Sequence, residues 1–190
     1  MDSDELYNEI IKVVSQWSAQ GERILPNGTR LICPMPQVAP QAWLHVLFAP
    51  LTGAEIDRLQ KDLHTVLPYD FREFLLRANG LELFSSRISI FGVRRSWDRQ
   101  SDESCEPFDL VSHNEESDRP SASPPKLIYF SATDGGNTWC FFEMDGDEYR
   151  IGKTDRHDFS PIAYWPHFNT WLLDEIKLQE ILFDSQGKQI

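Results

Sequence analysis

The chain has 190 residues, 41% hydrophobic and 25% charged, with twelve Phe and six Trp, which suits one domain with a sizeable core and excludes a largely disordered chain. Thirty acidic against eighteen basic residues leave a formal charge of −12. This argues against a nucleic-acid binder that neutralises phosphates and favours a basic partner. Cys33, Cys105 and Cys140 lack C-x-x-C spacing, the N-terminus shows no apolar leader core, and no run reaches membrane-spanning length. The expectation is a cytoplasmic protein with no membrane partner, in which the Asn27-Gly28-Thr29 sequon is silent.

Leu6, Ile10, Val13/Val14 and Trp17 recur at helical spacing and predict a helix over about 3–19, ended by Gly21. Arg30 to Met35 and Trp43 to Phe48 are candidate strands on either side of a proline-rich link. Thr52 and Glu55 then form a T-x-x-E capping box, and Ile56, Leu59, Leu63 and Val66 fall on one face of the helix it starts. Pro68 opens a second helix, because it fixes φ and keeps Leu67 out of the helical region. Phe71, Phe74, Leu75 and Ala78 keep that helix's apolar spacing, Asn79-Gly80 ends it, and a strand over Arg87 to Val93 follows.

From Arg94 to Lys126 the chain reads as polar, irregular and loosely held, with seven Asp/Glu and no Lys or Arg between Asp102 and Asp118. Phe108, Leu110 and Val111 are the residues able to pin it. Leu127 to Ala132, Thr138 to Met144 and Glu148 to Lys153 then read as strands joined by Asp134-Gly135-Gly136-Asn137 and Asp145-Gly146-Asp147 turns, an antiparallel meander. Phe168, Trp171, Leu172 and Ile176 predict a closing helix over about 169–182. Helices followed by a meander exclude a regular βαβ alternation, so the fold class is α+β in a single domain.

The order of capped helix, Leu67-Pro68, aromatic helix, Asn79-Gly80 and sheet resembles the SUKH superfamily, which includes the Smi/Knr-type cell-wall-assembly regulators. Ala163, Trp165, Phe168 and Trp171 match the aromatic closing segment of that family and extend the resemblance from about Leu51 to Ile176. The resulting division is a segment 1–50 outside the resemblance, a SUKH-like core over 51–182 and a tail over 183–190. The resemblance makes Leu67, Pro68, Phe71, Phe74, Asn79, Gly80 and Trp165 scaffold. It carries over no catalytic residue.

Catalytic motifs are missing: there is no G-x-S-x-G, P-loop or H-E-x-x-H. His157-Asp158 with Cys140 as nucleophile is the one conceivable pair, and a buried strand cysteine is the plainer account of Cys140. Glu143, Asp145, Asp147 and Glu148 around a turn lack the remaining positions of a calcium loop. Asp134-Gly135-Gly136 joins strands, without the helix N-terminus of a phosphate cradle. No cofactor, metal or nucleic acid is therefore expected.

The resemblance implies a binding protein, most often an immunity protein that neutralises a cognate toxin domain, with a basic nuclease the example that suits the charge. Partner contacts are expected at Asp102, Glu103, Glu106, Asp109, Glu115 and Glu116, at the hairpin tips Asp134, Asp145 and Asp147, and at Trp97 as aromatic anchor. Two alternatives stand beside this: a Smi/Knr-like regulatory scaffold, and a small hydrolase using His157.

Overall fold

Each end of the chain is tied to the middle by residues whose local preferences agree with the tertiary contacts. The computed structural model describes residues 2–97, 105–146 and 148–190. Helix α1 spans Ser3–Ser15 and starts in a capping box between Asp2 and Glu5. Leu6, Ile10 and Val14 bury one face of it, as their spacing requires. It is shorter than the expected 3–19, because a separate 3₁₀ turn takes Ser18–Gln20.

Strands β1 (Glu22–Ile24), β2 (Arg30–Pro34) and β3 (Trp43–Leu47) follow. Helix α2 (Gly53–Asp62) has the predicted Thr52–Glu55 capping box. Its buried face holds Ile56 and Leu59, but Val66 is 66% exposed. The helix ends at Asp62 and His64 turns left-handed at φ 53°, which takes Val66 off the helical register. Pro68 is the N-cap of α3 (Tyr69–Leu75). Phe71 sits at the centre of the core, its ring centroid 5.5 Å from Phe130, 5.1 Å from Phe142 and 5.3 Å from Phe168.

After Gly80 the chain makes a hairpin, β4 (Leu81–Leu83) and β5 (Ile88–Ile90), where a single strand over 87–93 was expected. The turn carries no glycine, asparagine or aspartate. Phe84, Ser85 and Ser86 all adopt positive φ instead, at 56°, 54° and 62°. The meander β6 (Ile128–Thr133), β7 (Thr138–Asp145) and β8 (Glu148–Asp155) matches expectation. A further strand, β9 (Pro161–Trp165), precedes helix α4 (Phe168–Glu180). Strands β1 and β9 were not anticipated, being respectively three residues long and bounded by prolines.

Among the described residues the nine strands form one antiparallel sheet whose spatial order is the chain order. The first three strands are thus continuous with the rest. Alternation across the strands divides the sheet into two faces. Ile32, Leu47, Leu81, Ile90, Phe142 and Cys140 meet the helices. The register row Leu31, Val46, Glu82, Ser89, Ala132, Trp139 lies on the other face.

That second face is covered by the segment expected to be loosely held, which is instead fastened over its described part. Leu110 is fully buried. Asn114 donates to the carbonyls of Leu110 and Tyr129 and accepts from the Tyr129 N–H. Bridges join Gly92 to Asp109 and Ser121 to Asp158. Of the three expected pins, Leu110 is buried, Val111 partly so, and Phe108 remains 43% exposed.

Candidate partner-binding surface

Among the described residues, the contact residues expected from sequence are spread over separate regions of the surface. Trp97, 65% exposed, edges a groove of about 480 Å³ between α2 and residues 93–97, lined also by Glu55, Arg58, Asp62, Arg94, Arg95 and Asp109. The Arg94 guanidinium sits 5.0 Å from the Trp97 ring centroid and bonds the Ser96 carbonyl. Arg95 donates to Glu55 at 2.8 Å and to the Pro50 carbonyl at 3.0 Å. That bond from Arg95 holds the Glu55 carboxyl at a pKa of about 2, with Thr52 adding to the effect. Glu106 is half-buried, and burial raises its carboxyl pKa against the pull of Arg95 and Arg94.

Asp109 is engaged inside the fold. Its carboxylate accepts from the Ser112 N–H and hydroxyl and from the Arg94 N–H. Glu115 and Glu116 are exposed on the outer side of the same segment. Asp134 pairs with Lys153 at 3.1 Å, whereas Asp145 is exposed at the opposite end of β7. At the rise of a strand these two hairpin tips stand roughly 20–25 Å apart. Asp102, Glu103 and Asp147 lie outside the described residues.

Lys153 also pairs with Glu175 of α4, again at 3.1 Å. Burial works against the lysine's charge, the carboxylates of Glu175 and Asp134 outweigh it, and its pKa lies above the usual value. Burial raises the Glu175 carboxyl, Lys153 pulling the other way. The β6–β7 turn is thereby tied to α4 through one lysine.

Cys140 and His157 are not brought together. Cys140 is fully buried on the helix side, its thiol pKa raised chiefly by burial. His157 is exposed and lines a cleft on the second face with Trp139, the residue that points opposite to Cys140. No group of three or more His, Cys, Asp or Glu placed to hold a metal occurs among the described residues. No helix among them is long and apolar enough to cross a membrane.

Sequence reasoning missed that second-face cleft. Trp139 reads as an ordinary core residue of an alternating strand. Only the loop that folds across the sheet sets His113, Arg119 and Phe108 against it. The Arg-His pair at 156–157, just past a strand end, was the one signal available.

Fold and surfaces together define an α+β scaffold in which helices back one side of an antiparallel meander and loops shape the other. The chain belongs to the SMI1 / KNR4 family (SUKH-1), whose family model matches residues 50–174. Proteins of this family are generally non-catalytic binding domains, and membership is consistent with an immunity-like or regulatory module. No curated protein is a significant match to the chain. Leu67, Phe71, Phe74, Asn79 and Gly80 are all buried, and the Trp165 indole donates to Asp174 of α4 at 3.2 Å.

Proposed function

We propose that the protein is an immunity-type binding module that neutralises a cognate toxin domain by covering its basic active-site surface. The observation that carries this reading is a −12 charge on a SUKH-1 scaffold whose exposed carboxylates at Glu115, Glu116, Asp118 and Asp145 form no ion pair among the described residues. Free carboxylates can stand in for phosphates in a basic cleft, and opposite net charges speed encounter. A nuclease domain is the partner this chemistry suits, and the cytoplasm is where the two would meet.

The test is to co-express the chain with the toxin domain encoded beside it and score growth rescue and co-purification. Rescue with a stable complex supports the reading, and neither with either partner intact removes it for that pair. Neutralising Glu115 and Glu116 together to Gln should weaken the complex about tenfold at low salt and less at high salt. Unchanged affinity would place the interface elsewhere. A regulatory scaffold for other cell proteins is the second reading, favoured by the family's regulatory members. It predicts complexes with host proteins in cells that carry no toxin gene beside this one.

A further inference from the structure

The acidic molecule carries a cleft of the opposite character on the second face of its sheet. One lobe, of about 190 Å³, is lined by Phe91, Phe108, Ala132 and Trp139, with Ser86, Ser89 and the Gly135-Gly136 backbone at its rim. A second lobe, of about 360 Å³, is lined by Arg119, Ser117, Asp118, Ser121 and His157. His113, Trp139 and Arg156 line both, so the two lobes adjoin across these three side chains.

Two arginines without a carboxylate partner among the described residues meet at this cleft. Arg30, Arg58, Arg77, Arg95 and Arg150 each pair with a carboxylate. Among the described residues Arg119 and Arg156 pair with none, as is also true of Arg72, Arg87 and Arg94. Arg119 is half-buried, donates to the Pro124 carbonyl at 2.6 Å and to the Ser123 hydroxyl at 3.4 Å, and lies 5.2 Å from the Tyr129 ring centroid. A guanidinium removed from water without a counter-charge is costly, and an incoming anion relieves that cost. Arg156 is exposed, and among the described residues its side chain has only the Trp139 ring, 5.8 Å from its centroid, as partner. Among the described residues the one carboxylate lining the cleft is Asp118. Asp155 is turned to the backbone N–H groups of His157 and Asp158, and Asp158 accepts from the Ser121 hydroxyl.

We infer that this cleft binds an acidic peptide segment, with an apolar side chain in the aromatic lobe and a neighbouring carboxylate on Arg156 and Arg119. Size and packing select that occupant. The aromatic lobe is smaller than the roughly 300–1,000 Å³ typical of pockets for whole cofactors, so it takes a side chain. Trp139 is only 4% exposed and has His113, Phe91, Tyr129 and Arg156 around it, which leaves no ring face for a nucleobase to stack on. His113 donates from Nδ1 to the Asp109 carbonyl at 2.9 Å, leaving Nε2 as a further polar group at the junction of the lobes. The inference stands whether or not the protein's partner is a toxin.

The probe is an acetylated, amidated pentapeptide, Asp-Glu-Phe-Glu-Asp, titrated into the full chain with binding followed by anisotropy of a labelled copy and by the indole N–H resonances. Long-range repulsion opposes an acidic peptide on a −12 protein, so binding has to be local. The expected result is saturable binding that shifts the Trp139 indole signal, is weakened about tenfold or more by Arg156→Glu, and stays within about twofold for Arg58→Glu, the same charge change beside the α2 groove. Arg156 makes no side-chain hydrogen bond among the described residues, so its replacement leaves the fold intact. Absence of binding, equal weakening by Arg58→Glu, or equal displacement by Lys-Lys-Phe-Lys-Lys or by adenosine monophosphate would overturn the proposal.

Discussion

Ser85 sits in the middle of three consecutive left-handed residues, where an L side chain is strained by about 1–2 kcal/mol, and its buried hydroxyl has no hydrogen-bond partner among the described residues. What holds the turn is tertiary: the Ser85 N–H bonds the Leu44 carbonyl at 2.9 Å, and Phe84 packs against His45, Trp17 and Phe183. Ser85→Gly should therefore stabilise the protein by about 0.5–1 kcal/mol after the added chain entropy is counted, read as a higher urea midpoint. His45, beside this turn, is fully buried; burial lowers its pKa to about 3, its Nδ1 accepts the Phe84 N–H, and its Nε2 has no partner among the described residues. The unfolded chain takes up a proton near the ordinary value of about 6.5 that the folded chain refuses. Its contribution to stability is thus complete above that pH and declines as pH falls toward 3. A urea-midpoint titration should show this decline, and His45→Gln should flatten it. None of this was legible in the sequence, because a turn without glycine or asparagine carries no local signal and a lone histidine in a strand carries no address.

Helix α4 begins at Phe168 without a side-chain cap from His167. The Tyr149 hydroxyl of β8 takes the cap's place: it accepts the Phe168 N–H at 3.1 Å and donates to Asp70 of α3. Three elements meet at one oxygen. Tyr149→Phe leaves that N–H and a carboxylate oxygen without their partner and should cost about 1–3 kcal/mol. Faster amide exchange in the first turn of α4 would separate this from general loosening. At the other end of α3, Asn79 bonds both the N–H and the carbonyl of Val93 at 2.7 Å, and Gly80, at φ 79°, lies so close to the Ile90 carbonyl that a Cβ would collide with it. Elements of this kind were the most legible part of the chain. The Thr52–Glu55 capping box, the Leu-Pro break and the Asn-Gly stop announce themselves over four or five residues, whereas β1 and β9 are too short, or too proline-bounded, to show a period.

At the scale of the molecule, α1 and the first three strands are joined to both the sheet and the tail. Leu6, Ile10, Val14 and Trp17 belong to the main core, the Trp17 indole donates to the Asp184 carbonyl at 2.8 Å, and Phe183 pairs with Gln189. Deleting residues 2–20 should leave a chain that lacks a cooperative unfolding transition, measured by thermal circular dichroism. A cooperative product with an unchanged midpoint would show this segment to be dispensable. The α+β class and the meander could be read from turns and alternation alone. The surfaces could not, since Asp109 and Asp134 look free in sequence and are engaged in the fold, and the cleft at Arg156 exists only where the segment before β6 crosses the sheet.

That crossing segment has a consequence for how such a protein can change. It leaves from β5 and returns to β6, which are hydrogen-bonded neighbours in the sheet, so its ends stay a strand's width apart however long it is. Doubling the length of such a connection costs only about 0.6 kcal/mol in closure entropy. New sequence can therefore be inserted or exchanged over the second face without rethreading a strand or disturbing the packing around Phe71, and the scaffold can acquire a different recognition surface in a single step.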